Sequence, residues 1–279
     1  MIIDSHQHFW IYNPVRDAWI DESMLMLRKN FLPEELEPIL IKHSIDGTIA
    51  VQADQSEVET EFLLSLAKEN DWIFGVVGWI DLKAKNIEKR LEYFSSFPVL
   101  KGFRHIVQAE PDPDFMLNEK FQNGISSLKQ FNYTYDILVY PHQLPASIKL
   151  SEKHNEQKFV LDHIAKPLII QNKIEPWASY IKELAKNPNV YCKVSGMVTE
   201  ADYNNWKPED FYPYLDIIFE SFGIERIMFG SDYPVCLLAG SYGQVLNIVK
   251  KYTADIFDED KEKIWSKNSL SFYNIKTDK

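Results

Sequence analysis

Eight short runs rich in β-branched and aromatic residues recur along the chain, each followed by a loop and then by a segment with apolar residues at helical spacing. The runs lie at 2–8, 47–53, 73–80, 100–105, 133–140, 158–163, 189–195 and 226–231. The helix-like segments lie at 33–43, 57–70, 84–96, 117–131, 142–155, 175–187, 208–222 and 242–252, with 260–268 as an extra terminal helix. This alternation requires parallel strands joined by right-handed crossovers. The economical closure is a single (β/α)8 barrel, an α/β fold of the TIM type, expected as one domain over residues 1–279. A doubly wound open sheet would carry a Gly-x-Gly-x-x-Gly turn after its first strand, and none of the ten glycines is arranged that way. Local signals agree. Pro33, followed by Glu34 and Glu35, suits a first helical turn, and Ser56 with Glu59 three residues on predicts a capping box.

Composition narrows the partners. Thirty basic against forty-one acidic side chains leave a formal charge of −11, which argues against nucleic acid or an anionic membrane. No uninterrupted apolar run approaches the roughly 18 residues of a membrane span. Two cysteines, Cys192 and Cys236, build no disulfide framework, so a reducing, cytoplasmic setting is expected. There is no secretory signal pattern, and the working residues begin at Asp4, leaving no room for a cleaved leader.

In a (β/α)8 barrel the chemistry collects at the C-terminal strand ends. Strand one ends Asp4-Ser5-His6-Gln7-His8, where period-two alternation places Asp4, His6 and His8 on one face. Strand four ends in Arg104-His105, strand five runs into Tyr140-Pro141-His142, strand six ends Asp162-His163, and strand eight ends Ser231-Asp232-Tyr233-Pro234. Five of the seven histidines thus fall at strand ends, while His43 and His154 read as helix-surface residues. Asp162 reads as structural. Imidazoles around a carboxylate can bind a divalent metal, or can activate water without one.

These segments resemble the amidohydrolase superfamily of metal-dependent hydrolases. Within it, Asp4-Ser5-His6-Gln7-His8-Phe9-Trp10, Gly102-Phe103-Arg104-His105-Ile106-Val107-Gln108, Leu161-Asp162-His163-Ile164-Ala165-Lys166-Pro167, Lys193-Val194-Ser195-Gly196 and Phe229-Gly230-Ser231-Asp232-Tyr233-Pro234-Val235 resemble the sugar-lactonase branch, typified by L-fuconolactonase and L-rhamnonolactonase. The resemblance runs from residue 2 to about residue 273. It implies His6, His8 and Asp232 as ligands of a single ion, zinc for choice, with His142 and His163 as the strand-five and strand-six histidines. It implies Asp232 as the group that takes a proton from water. Two-metal members bridge their ions with a carboxylated lysine or a glutamate at the end of strand four. Here that end is Arg104-His105, and Lys101 sits at the strand's other end, so one ion or none is expected.

The implied reaction is hydrolysis of a sugar lactone, an aldonolactone such as a 6-deoxyhexonolactone, in carbohydrate catabolism. Asp232 serves as base, and protonated histidines with Arg104 or a metal stabilise the oxyanion. Of the five arginines only Arg104 is placed at the catalytic rim, which favours a neutral lactone over a dicarboxylate. Trp10, Gln52, Trp79, His105, Gln108 and Tyr140 are the candidate substrate contacts, Ser195 and Glu200 after strand seven are placed in reach of a sugar hydroxyl, and Trp19, Trp72 and Trp265 read as core or interface. A homodimer is expected as the assembly. The competing readings are a mononuclear zinc amidohydrolase, a metal-dependent nonoxidative decarboxylase and a noncatalytic sugar-binding barrel.

Overall fold

The computed structural model describes residues 1–277. Eight parallel strands neighbour one another in sequence order: β1 (Ile3–Gln7), β2 (Gly47–Val51), β3 (Ile73–Gly78), β4 (Leu100–His105), β5 (Thr134–Ile137), β6 (Phe159–Leu161), β7 (Val190–Val194) and β8 (Ile227–Phe229). After them in turn come α1 (Pro33–His43), α2 (Glu57–Glu69), α3 (Ile87–Phe94), α4 (Glu119–Gln130), α5 (Leu144–Lys153), α6 (Trp177–Leu184), α7 (Tyr212–Phe222) and α8 (Tyr242–Tyr252). The (β/α)8 expectation holds. Most of the core lies between strands and helices, where one face of each helix supplies residues such as Leu36, Leu63, Leu91, Ile125, Leu150, Ile181 and Ile218. No helix among the described residues is long and apolar enough to cross a membrane.

Of the two helix starts read from the sequence, one follows its local chemistry and the other does so in part. α1 opens on Pro33 with Glu34 and Glu35 in its first turn, and the Glu35 carboxylate accepts from Leu32 N–H at 2.9 Å. At α2, Ser56 Oγ accepts from Glu59 N–H at 3.2 Å, but the Glu59 carboxylate accepts from Ala53 N–H at 3.1 Å instead of reaching back to Ser56. Half a capping box forms there. The other half holds the loop beyond β2.

Both ends of the barrel are sealed by sequence far from the strands they touch. At the N-terminal end the expected helix over 260–268 is instead three short turns, α9 (Asp258–Glu262), a π-turn (Lys263–Lys267) and α10 (Asn268–Phe272). Phe272 and Tyr273 then pack with Ile3, Ile49, Val51, Val77, Val160 and Met228. Lys101, at the start of β4, donates to Asn274 O there, far from the catalytic rim. At the C-terminal lip the three-residue β8 is too short to close the sheet along its length. Closure comes from the residues that follow it. Gln7 pairs with Tyr233, His8 N–H donates to Tyr233 O at 2.7 Å, and Asp232 N–H donates to His6 O at 2.8 Å. These bonds set Asp232 beside the two histidines of β1.

Candidate active site

Simple alternation fails on β1. Between Asp4 and Gln7 the strand carries one residue more than β2 opposite it, a bulge that re-aims the side chains. His6 and His8 both turn inward, with their Nε2 atoms 3.2 Å apart. Asp4, expected on the same face, turns away instead and accepts from Ser231 N–H at 2.8 Å and from the Tyr242 hydroxyl of α8 at 3.0 Å. Burial pushes its carboxyl up to about 6, despite the hydrogen bonds that favour the anion. Gly230 makes room for this arrangement. A Cβ there would lie 2.7 Å from the Cβ of His6, so the space it leaves serves His6 and not the substrate.

Beneath His6 lies a buried ion network that alternation along the strands brings together. Lys193 of β7 reaches Asp136 of β5 at 2.5 Å and Asp162 at 3.1 Å, and Arg104 of β4 reaches Asp162 at 3.0 Å. Two cations thus face two carboxylates. His6 Nδ1 touches the same group, 3.2 Å from Lys193 Nζ and 3.3 Å from Asp162. Burial opposes the Asp162 charge, but Lys193, His6 and Arg104 hold its carboxyl well below the usual range. Asp136 goes the other way, raised by burial to about 6 even though Lys193 and the Tyr273 hydroxyl contact it. Asp162 is structural, as expected, in the specific sense that it anchors His6 and Arg104.

After β6 the backbone does something costly. His163, Ile164, Ala165 and Lys166 take φ values of 54°, 47°, 58° and 49°, four consecutive non-glycine residues in the left-handed region. Each costs about 1–2 kcal/mol. The turn is tied down by Trp177 Nε1–H donating to Ile164 O at 2.7 Å. Ser195 Oγ accepts from His163 N–H at 3.3 Å and lies 2.9 Å from His163 Nδ1. His163 Nε2 stands 3.9 Å from Asp232. Gly196, at φ 61°, is required here, because a Cβ would stand 2.5 Å from His163 Nδ1.

Asp232 itself lies at φ 58° and is buried. Its Oδ1 is 3.3 Å from His8 Nε2 and 4.0 Å from His6 Nε2. Burial raises its carboxyl, but the imidazoles of His163 and His8 and the charge of Lys166 outweigh that and leave it below the ordinary value. His6 and His163 are held well below the usual imidazole range, chiefly by burial. They are neutral near pH 7. That corrects the expectation that protonated histidines stabilise an oxyanion, because a desolvated imidazolium is too expensive at these positions.

Asp232, His8, His163 and Arg104 line a cavity of about 270 Å³ together with Trp10, Trp19, Gln55, Gln108, Leu138 and Lys166. Trp10 and Gln108 are where the sequence placed them, and Trp19 belongs to the cavity wall, not only to the core. Five expected site residues, His142, Tyr140, Gln52, His105 and Trp79, stand elsewhere. His142 is exposed and stacks on Tyr140, since β5 ends at Ile137 and the chain has passed the rim before it turns. Tyr140 lies on the outer rim, its ring 5.8 Å from Lys166 Nζ. Gln52 is buried and donates to Arg104 O at 3.1 Å, so it positions Arg104. His105 follows Arg104 on the strand and so faces outward. It stacks on Phe115, contacts Glu110 at 2.7 Å and meets Trp79 Nε1 at 3.4 Å, all outside the cavity lining. Sequence reasoning passed over Lys166, Gln55, Lys193 and Asp136. The visible signal was a charge inside an apolar strand, in Cys192-Lys193-Val194 and Tyr135-Asp136-Ile137.

The amidohydrolase family pattern matches residues 3–275. An L-fucono-1,5-lactonase of Burkholderia multivorans is 36% identical over 98% of this chain and 96% of its own length. The chain belongs to the amidohydrolase family, in its sugar-lactonase branch. A second L-fucono-1,5-lactonase, of Burkholderia ambifaria, is 32% identical over 86% of this chain and 83% of its own. A crystal structure of an amidohydrolase from Burkholderia multivorans with bound Zn superposes with a TM-score of 0.95 at 36% identity, covering 99% of this chain and all of that one.

Whether this amidohydrolase's own residues suit a metal follows from their donors. His6, His8 and Asp232 offer ligand atoms that all lie within 4.8 Å of one another, and all three residues are buried. His8 Nδ1 is 2.7 Å from Val51 O, which commits its proton to that bond and leaves Nε2 as a lone pair. Two nitrogens about 2.0–2.1 Å from a tetrahedral ion stand roughly 3.3–3.4 Å apart, close to the 3.2 Å found here. The set fits one divalent ion. Asp162, grouped with His6 and His163 at similar spacing, is already engaged by Lys193 and Arg104. Arg104 Nη1, 3.2 Å from His6 Nε2, places a fixed cation where a second ion would need an anionic bridge.

Proposed function

We propose that this hydrolase opens a neutral aldonolactone, of the 6-deoxyhexono-1,5-lactone kind, to its aldonic acid, with Asp232 as the base that takes a proton from the attacking water. The observation that carries this is the Asp232 carboxylate, buried at the cavity wall, ionised, and 3.3 Å from His8. The names of the relatives support a lactone over an amide. So does chemistry, because a lactone carbonyl is electrophilic enough to be attacked with modest assistance.

Water adds to the carbonyl carbon as its proton passes to Asp232. The C–O bond to the ring oxygen then breaks, and that oxygen takes the proton back and leaves as a hydroxyl tethered to the product. Arg104 lines the cavity and brings a fixed positive charge to stabilise the carbonyl oxygen as it gains charge. His163 Nε2, 3.9 Å from Asp232, is placed to orient the water or the leaving oxygen. A divalent ion held by His6, His8 and Asp232, when bound, supplies a Lewis acid. Arg104 is the sole arginine of the cavity lining, which favours a neutral ring over a dicarboxylate.

The test is acid release, followed with a pH indicator, from a panel of sugar lactones with and without chelator. Turnover of L-fucono-1,5-lactone or a stereoisomer is expected. Carbon dioxide from hydroxybenzoates would point to the decarboxylase alternative. Tight lactone binding without acid release would point to a noncatalytic barrel.

A further inference from the structure

We propose that Lys166 and Glu200 form the subsite that recognises the hydroxyl groups of the lactone and sets the preference for hydroxylated rings. The inference rests on the lactonase reading above and adds residues which that reading does not use.

The placement comes from the left-handed turn after β6. Residues three apart eclipse one another on a three-residue turn, so His163 and Lys166 share one face and both line the cavity that holds Asp232. Glu200, on the short turn Val198–Glu200 beyond β7, is not part of that lining and meets it through Lys166. Its carboxylate stands 3.7 Å from Lys166 Nζ, and the two side chains keep only 14% and 18% of their surface exposed. Each charge has therefore lost most of its water.

The spacing is what matters. At 3.7 Å the pair is too far apart for a direct hydrogen bond. Lysine offers three donors and no acceptor, and a carboxylate offers acceptors only. Among the described residues Lys166 Nζ has no closer polar partner than Glu200, and Glu200 is pushed above the usual carboxyl range, chiefly by burial. What complements a donor and an acceptor side by side is a neutral group that both accepts and donates. An alcohol does this alone, and two neighbouring alcohols do it with better reach. A carboxylate ligand would satisfy Lys166 but meet Glu200 and Asp232. An ammonium ligand would meet Lys166 and Arg104. A bare alkyl ring would leave both buried charges without the water they lost, which penalises it. The pocket walls of Trp10 and Trp19 suit the apolar C–H faces of a sugar ring.

The experiment compares wild type, Glu200→Gln and Lys166→Met on L-fucono-1,5-lactone and on δ-valerolactone, the same ring without hydroxyls. It adds calorimetric binding of the corresponding hydroxylated 1,5-lactam, which is not hydrolysed. Each variant is expected to lower the hydroxylated-to-plain ratio of kcat/KM by roughly 10–100-fold, mainly through KM, and to weaken lactam binding by a similar factor. Lys166→Arg and Glu200→Asp should restore part of the ratio. Parallel loss on both lactones, or an unchanged ratio and lactam affinity, overturns the subsite. If wild type binds the lactam and loses it in Glu200→Gln but hydrolyses neither lactone, the subsite stands and the lactonase reading falls. If wild type hydrolyses the sugar lactone and the variants match it, the reverse holds. Failure of wild type to bind the lactam at all also overturns the subsite.

Discussion

Replacing Asp232 with asparagine separates a base from a structural residue. The change keeps the backbone intact, since Asp232 N–H still donates to His6 O and Asp232 O still accepts from Cys236 N–H. Asparagine tolerates the φ of 58° that this position requires. Its amide N–H can donate to the His8 Nε2 lone pair. What disappears is the proton acceptor. A positioned general base contributes about 10²–10⁴ in rate, or roughly 2.7–5.4 kcal/mol of barrier. We therefore expect Asp232→Asn to lose that factor in kcat with little change in KM, because the carboxylate faces water and not the sugar. Stability to urea should move by no more than about 1 kcal/mol, the worth of one exchanged hydrogen bond. Steady-state acid release and urea unfolding measure the two quantities on one preparation. Since the carboxyl lies below its usual range, wild-type kcat/KM should stay level on the acid side until pH falls to about 4 or lower. Near-wild-type turnover in Asp232→Asn would refute the base. A loss of kcat accompanied by several kcal/mol of destabilisation would refute the argument in a different way, by making the residue structural.

Three further outcomes follow from the same geometry. Chelation should leave most turnover intact, because Arg104 sits 3.2 Å from a nitrogen of the ion site and weakens metal binding; complete loss reversed by zinc would contradict this. Lys193→Met strands Asp136 in the barrel interior and leaves Asp162 to Arg104 alone, and should cost about 3–5 kcal/mol in urea unfolding, whereas a cost under 1 kcal/mol would mean that the network is energetically idle. Asp4, raised to about 6 in the folded protein, contributes stability that is present below the unfolded value near 4 and lost as pH rises through about 6. Asp4→Asn should thus gain on wild type between pH 4 and pH 7 by on the order of 2–3 kcal/mol, and parallel pH profiles of the two proteins would sink that assignment.

The barrel was legible because its signal is local and repeated. Each strand-to-helix step, such as Gly47–Val51 into Glu57–Glu69, is written in residues that contact one another in order. The termini of α1 and α8 match the sequence reading for the same reason, being set by Pro33 and by Ser241 with Gln244. The strand-end rule also picked out His6, His8, Arg104, His163 and Asp232, all of which converge. It misjudged neighbours where a single residue of register decides the face. Arg104 points into the barrel and His105 out of it, and the sequence signal for the two is the same.

What tertiary structure alone decided is which polar groups share water-free space. The bulge in β1 sends Asp4 to Tyr242 and keeps His6 and His8 together, and nothing in Asp4-Ser5-His6 announces an extra residue. The left-handed run from His163 to Lys166 has no glycine to signal it, and it exists because Trp177 and Ser195 hold it from other parts of the chain. The neutrality of His6 and His163 is likewise a property of burial and not of residue type. Sequence determined the barrel and the rim from which chemistry is drawn, because periodicity acts over a few residues. Long-range contacts determined the charge state and direction of each group, because desolvation and register are set by atoms distant in the chain.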